Sequence, residues 1–260
     1  MRCWILYDEA DLEENMFFAE SLESNGERLG FDCEIVTEDE IDVIDPADVV
    51  VSRTRNADLT FILEDNGATV FNRSSVSRIC NDKAHTYAFV RNLGIPVLPF
   101  SLPGEPIPEG PPWVVKSRSG HGGTEVFKVS SEKELEKKVS KMDDPLIQQF
   151  GDPGKDLRVY VLGGRVIAAV MRTSDKDFRA NFKLGGDARP VEVPEEVFDM
   201  VRKIVPELLA DFVGIDFIFK DGRPYLNEIE DVVGTRMLYK FTRMDPAKLY
   251  MEHIARCSGL

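Results

Sequence analysis

Over residues 213–230 two apolar-rich runs meet at Asp221-Gly222, and their arms carry three carboxylates, Asp216, Glu228 and Glu230. Asp-Gly between strand-like runs is a strong hairpin signal, so this stretch commits the chain to an antiparallel strand pair. Register decides what the acids can do. A two-residue loop at Asp221 and Gly222 sets Asp216 opposite Asn227, with Glu228 on the other face, whereas a three-residue loop ending at Arg223 sets Asp216 opposite Glu228. The longer loop groups Ile215, Phe217, Phe219, Tyr225, Asn227 and Ile229 as a core face. It groups Asp216, Ile218, Lys220, Leu226, Glu228 and Glu230 on the other. Like charges about 4 Å apart repel by roughly 4 kcal/mol at an effective dielectric near 20, so converging carboxylates ask for a cation. Hard oxygen ligands suit magnesium; a solvated acidic face is the alternative.

Ahead of the hairpin the pattern alternates. Residues 2–7, 31–36, 48–52 and 69–72 read as strands, and residues 12–29 and 57–64 as helices, which makes a small parallel α/β unit. Arg53 and Arg55 follow a strand at its carboxyl end, where open α/β sheets place ligands; surface charge is the plainer reading. A helix entered at Ser74 or Ser75 comes next, then one over residues 82–93 with Lys83 in its first turn, closed by Gly94 and Pro96. After a proline-rich connector, strands at 113–117 and 125–129 flank Ser119-Gly120-His121-Gly122-Gly123. Such a glycine turn lets backbone amides approach phosphate, with Lys116 as a point charge at the strand end, or it is simply a flexible turn. Residues 132–142 form a charged helix.

Residues 146–150 open the next lobe, followed by a hairpin of 156–162 and 165–173, a helix at 195–211 and a closing helix at 245–257. Strand parity puts Asp156, Arg158 and Tyr160 on one face. Arg158, Arg172, Arg179 and Arg236 are cations in an acidic chain, available to anions or to surface salt bridges. The formal net charge of −14 argues against nucleic-acid and anionic-membrane partners, which need a basic footprint. The first residues lack signal-peptide character and no run reaches transmembrane length. Cys3, Cys33, Cys80 and Cys257 lack metal-type spacing, so the expectation is a cytoplasmic protein with structural thiols.

The motifs, in order, are Asn81-Asp82-Lys83, Val114-Val115-Lys116 before the glycine turn, Gln148-Gln149-Phe150, Asp156-Leu157-Arg158, Phe178-Arg179-Ala180-Asn181, and Gly214-Ile215-Asp216 leading to Glu228. Together they resemble the ATP-grasp superfamily, and within it the RimK-like carboxylate–amine ligases. The resemblance implies an α/β fold of three parts: a small N-terminal parallel domain (1–73), a first lobe with the glycine loop (74–145) and a second lobe with the metal site (146–260). By the same resemblance ATP would meet Lys83, Lys116, Gly122, Gly123, Gln149, Phe150, Asp156, Arg179, Ala180 and Asn181. Asp216, Glu228 and Glu230 would hold one or two magnesium ions, with manganese as a substitute. Arg172 and Arg158 would stand at the transferred phosphoryl group and the substrate, and Arg53 and Arg236 would serve a small anionic substrate. The implied reaction joins a carboxylate to an amine acceptor through an acyl phosphate, releasing ADP and phosphate. A nucleotide-binding regulator and a phosphotransferase are the rival readings. The chain departs from the family at Glu230, where most members have Asn, and in the Asp231-Val232-Val233-Gly234 loop after it.

Overall fold

The computed structural model describes residues 1–180 and 187–260, in three sheets. β1 (Arg2–Tyr7), β2 (Asp32–Thr37), β3 (Val49–Ser52) and β4 (Thr69–Phe71) form a parallel sheet in the order β2-β1-β3-β4. β3 is buried along its whole length, as its unbroken Val-Val-Val run requires of a strand covered on both faces. Its crossovers include α1 (Glu9–Arg28) and α2 (Ala57–Asp65). Asp8 caps α1 by accepting from the amides of Ala10 and Asp11 at 3.0 and 3.3 Å, and the helix is kinked at Asn15.

α3 (Ser74–Cys80) and α4 (Lys83–Asn92) come next; Asp82 caps α4 through the amide of Ala84 at 2.8 Å. A second sheet contains β5 (Phe100–Ser101), β6 (Trp113–Ser117), β7 (Val126–Val129) and, after α5 (Glu132–Val139), β8 (Pro145–Gln149), in the order β5-β8-β6-β7. β8, expected to open the following lobe, pairs antiparallel with β6, so it belongs to the sheet that carries the glycine loop. This sheet has its own small core of Trp113, Val115, Val129, Leu135 and Ile147.

The third sheet is antiparallel: β9 (Lys155–Leu162), β10 (Arg165–Thr173), β11 (Asp187–Pro190), β12 (Phe212–Lys220) and β13 (Arg223–Glu230), in the order β11-β10-β9-β12-β13. α6 (Glu195–Leu208), α3 and α4 bury one face of it, Val201, Ile204, Val76 and Tyr87 packing with Leu157, Ile215 and Phe217. Its other face shares a core with the parallel sheet and with α8 (Pro246–Ser258), which follows the short α7 (Arg236–Phe241). Buried Asn72 stitches the end of β4 to the hairpin. Its amide nitrogen donates to the carbonyls of Phe212 and Asp231 at 2.8 and 3.1 Å, and its oxygen accepts from the amides of Asp211 and Phe212 at 2.6 and 3.1 Å.

The hairpin corrects the expected loop. Lys220 pairs with Arg223, so the turn is the two-residue Asp221-Gly222 form, and both residues have positive φ, 52° and 77°. Asp216 nevertheless faces Glu228, because a β-bulge at Asn227 interrupts the ladder between the Phe217–Leu226 and Asp216–Glu228 pairs. The bulge also reassigns two faces. Leu226 sits fully buried opposite Phe217, while Tyr225 lies opposite Ile218.

Candidate active site

Two cavities meet between the glycine-loop sheet and the β12–β13 hairpin. The first, about 140 Å³, is lined by Lys83, Lys116, Gly122, Gly123, Gln149, Phe150, Asp156, Arg158, Arg172, Arg179, Ala180, Asp216, Glu228 and Glu230. All the expected nucleotide and metal residues therefore border one cleft except Asn181, which lies outside the described residues. The second cavity, about 280 Å³, runs towards the parallel sheet and takes in Arg53, Arg55 and Arg236. Lys83, Gly120, His121, Gly122, Arg158, Arg172, Glu228 and Glu230 form the wall common to both.

Strand ends and helix starts place these groups. Lys116, last but one in β6, donates from Nζ to the Tyr87 hydroxyl at 2.8 Å and to Asn227 Oδ1 at 3.0 Å. Burial, partly offset by Glu228, pulls its pKa down to about 8. Asn227, expected in the core face, thus turns into the cleft because it is the bulged residue. Lys83 lies in the first turn of α4, and its Nζ donates to the carbonyl of Gly120 and, at 3.4 Å, to that of Arg118, with Glu228 3.9 Å away. Across the cleft Arg179 pairs with Asp177 at 2.8 Å and donates to the carbonyl of Gly123 at 2.7 Å. Asp144 fastens the loop's base through the Ser117 hydroxyl at 2.7 Å and the Ser119 amide at 3.0 Å. The aromatic rings of Phe150 and Phe178 stand 5.8 Å apart at one end of the first cavity.

The acids do not gather around an empty centre as expected. Arg158 grips Asp216 with two hydrogen bonds of 2.7 Å and reaches Glu230 at 2.6 Å, while Arg172 reaches Asp216 at 2.7 Å and also pairs with Asp156. Against the burial that would raise it, Arg158 and Arg172 hold the Asp216 pKa at about 2. Burial raises Glu230 and Asp156 despite the same guanidiniums. Two arginines thus balance the repulsion that was assigned to a metal. Among the described residues no group of three His, Cys, Asp or Glu side chains is arranged as a metal site. Magnesium needs only one or two carboxylates when phosphates and water complete its shell. Glu228 and Glu230, both lining the cleft, fit that need, whereas both oxygens of Asp216 are already taken by arginine.

The second cavity, where Arg53 and Arg236 were expected to serve a small anionic substrate, carries acids as well as arginines. Asp11, Glu14 and Asp231 line it beside the arginines, and Arg55 is ion-paired to Asp11. Arg236, exposed at the rim, donates to the carbonyl of Glu14 at 2.8 Å. Arg53 differs: it is 4% exposed, donates to the Val233 carbonyl at 2.9 Å, and lies over the Phe18 ring. Its Nε is buried without a hydrogen-bond partner among the described residues, and the pKa of the nearby Tyr7 hydroxyl is raised by burial and lowered in part by the Arg53 charge beside it. Asp231 accepts from Asn81 at 3.1 Å, and burial raises its pKa. Asp11, Glu14, His121, Asn227 and Asp231 were missed as site residues. The position of α1 directly after a parallel strand's carboxyl end could have pointed to the first two; the bulge that delivers Asn227 left no mark in the sequence.

A glycine-loop sheet facing an antiparallel sheet, with lysines, arginines and carboxylates in the cleft between, is the construction of an ATP-grasp enzyme. The RimK-like ATP-grasp domain matches residues 105–254, more than half of the chain, and the chain belongs to that family. It is accordingly an ATP-dependent, ADP-forming carboxylate–amine ligase, and the family uses ATP with magnesium. Across 246 residues the chain is 28% identical to the uncharacterized protein MG011 of Mycoplasma genitalium, covering 90% of this chain and 85% of that one. It is 29% identical over 218 residues to a probable alpha-L-glutamate ligase of Parasynechococcus marenigrum, covering 77% of this chain and 46% of that one. The chain thus spans about half the length of that ligase. The crystal structure of D-cycloserine synthetase DcsG superposes with a TM-score of 0.76 at 16% identity over 99% of both chains, a likeness of fold.

Proposed function

We propose that the enzyme joins the amine of a small acidic amino acid to a small carboxylate, with the two cavities dividing the work. ATP occupies the first, its phosphates meeting Lys83, Lys116, Arg179 and the glycine-loop amides, and its base lying by Gln149 and Phe150. Asp156 belongs to this side through Arg172. Glu228 and Glu230 are the carboxylates for magnesium, which when bound offsets phosphate charge. Arg172 and Arg158 stand at the common wall, where a substrate carboxylate attacks the γ-phosphorus and an acyl phosphate forms. The protein contributes position and electrostatic stabilisation. An amine then displaces phosphate.

The observation that carries the substrate assignment is Arg53, a buried cation without a carboxylate partner among the described residues, at the far side of the second cavity. A buried charge left uncompensated is costly, and the guanidinium fork matches a carboxylate. Acids in the same wall suit the ammonium of an amino acid. The glutamate named in the Parasynechococcus relative gives the first amine to try. The test combines ATP, magnesium and L-glutamate with a panel of small di- and tricarboxylic acids, following ADP release and product mass. An adduct one glutamyl unit heavier supports the reading; ADP with a phosphorylated acid and no adduct points to a phosphotransferase, and no ADP with any acid removes the substrate assignment.

A further inference from the structure

His121 stands at the tip of the glycine loop on the wall shared by the two cavities. Its backbone carbonyl accepts from the Thr124 hydroxyl at 3.4 Å, while its imidazole makes no hydrogen bond with the described residues. Carboxylates nearby are engaged: Asp11 with Arg55, Asp216 and Glu230 with Arg158, Glu228 with Lys83 at 3.9 Å, and Asp231 with Asn81 and the Val232 amide. The charged groups facing the imidazole are Arg55 beyond β3, Asp11 on α1, Glu228 on β13 and Lys83 on α4. Burial and the positive charges of Arg55 and Lys83 outweigh the two carboxylates, lowering its pKa. His121 is exposed at the loop tip between the cavities, and the lowered pKa favours its neutral form, which carries a nitrogen lone pair.

We propose that His121 accepts the proton that the incoming ammonium must lose before it attacks the acyl phosphate. The proposal rests on the ligase reading of the two cavities. In the step, an N–H bond of the ammonium breaks and its proton passes to an imidazole nitrogen. The freed lone pair forms the N–C bond, and the C–O bond to phosphate breaks with its electron pair leaving on phosphate. A second amine proton departs with the phosphate, and His121 returns its proton to water. A positioned base of this kind contributes about 10²–10⁴-fold.

The experiment compares wild type with His121→Asn and His121→Gln on two amines, using whichever acid of the carboxylate panel the wild type accepts. L-Glutamate carries a protonated amine near neutral pH; hydroxylamine is already unprotonated there and traps acyl phosphate as a hydroxamate. Ligation of L-glutamate is expected to fall about 10²-fold in both variants, with hydroxamate and ADP formation retained within about threefold. The deficit with L-glutamate should shrink as pH is raised and the amine deprotonates by itself. Equal losses with both amines would place His121 in nucleotide binding or loop structure and overturn the proposal, as would unchanged ligation. If the wild type makes neither product with any acid, the ligase reading of the cavities falls and this step falls with it.

Discussion

Arg53 and Arg158 line the same cavity and are almost equally buried, 4% and 6% exposed, yet only Arg158 has carboxylate partners among the described residues. Arg158, with Arg172, spends its charge on Asp216, Glu230 and Asp156, and so sets the geometry of the wall between the cavities. Under the proposed function, Arg53 keeps its charge for the substrate carboxylate. The contrast separates a cation that builds a site from one proposed to read a ligand, a distinction that burial alone does not reveal.

The largest effect should come from breaking the paired set. Asp216→Asn leaves two buried guanidiniums short of an anion and should cost about 3–5 kcal/mol in denaturant unfolding. The wild type should show the matching acid limb. Its Asp216 pKa of about 2 lies below the ordinary 3.8, so that stabilisation is whole above pH 4 and is lost as pH falls towards 2, a limb the variant lacks. Arg53→Met should behave in the opposite way. Stability should hold or rise, while the KM of the acidic substrate climbs by about 30-fold, roughly 2 kcal/mol of charge-assisted hydrogen bonding. Loss of stability equal to that of Asp216→Asn would erase the distinction between the two arginines.

Lys116 offers a smaller, pH-dependent test. With its pKa at about 8, the free enzyme's lysine discharges as pH passes that value, so ATP affinity should begin to fall there, by up to about tenfold per pH unit. Lys116→Arg stays charged and should flatten the profile measured by calorimetry. The smallest effect belongs to Arg236→Ala. An exposed rim cation is worth about 0.5 kcal/mol, so KM should rise by only two- to threefold. A change as large as that of Arg53→Met would move the substrate's main contact to the rim.

Most strands and long helices were legible because their signals are local: the Val49-Val50-Val51 run, the Asp8 and Asp82 caps, and the Gly94 stop. β5, β11 and α7 were missed, being only two, four and six residues long, too short for a period to show. In the hairpin the chemistry of Asp-Gly indicates the two-residue turn, whereas an unbulged ladder faces Asp216 with Glu228 only through a three-residue one. The bulge satisfies both, but one extra residue in a ladder is a tertiary choice. Likewise, the sequence displays Arg158, Asp216 and Glu230 as separate charges. Only β9–β12 pairing, which sets Arg158 opposite Asp216, shows that they neutralise each other.

The core between the parallel sheet and the antiparallel sheet bears on the order in which the molecule can be finished. Ile5, Val49 and Val51 share that core with Phe212 and with Met251 and Ile254 of α8. At about 5–20 residues per second, a ribosome that has completed β3 needs on the order of ten seconds or more to supply α8. Until then only earlier segments, Phe18, Ala19 and Leu22 of α1 among them, are present to cover the apolar face of the strand that precedes Arg53. The glycine-loop sheet, whose own core is complete with Ile147 in β8, carries no such delay. A nascent chain therefore has the means to assemble its glycine-loop wall before the core beneath the second cavity is complete, and shortening α8 should damage the second while sparing the first.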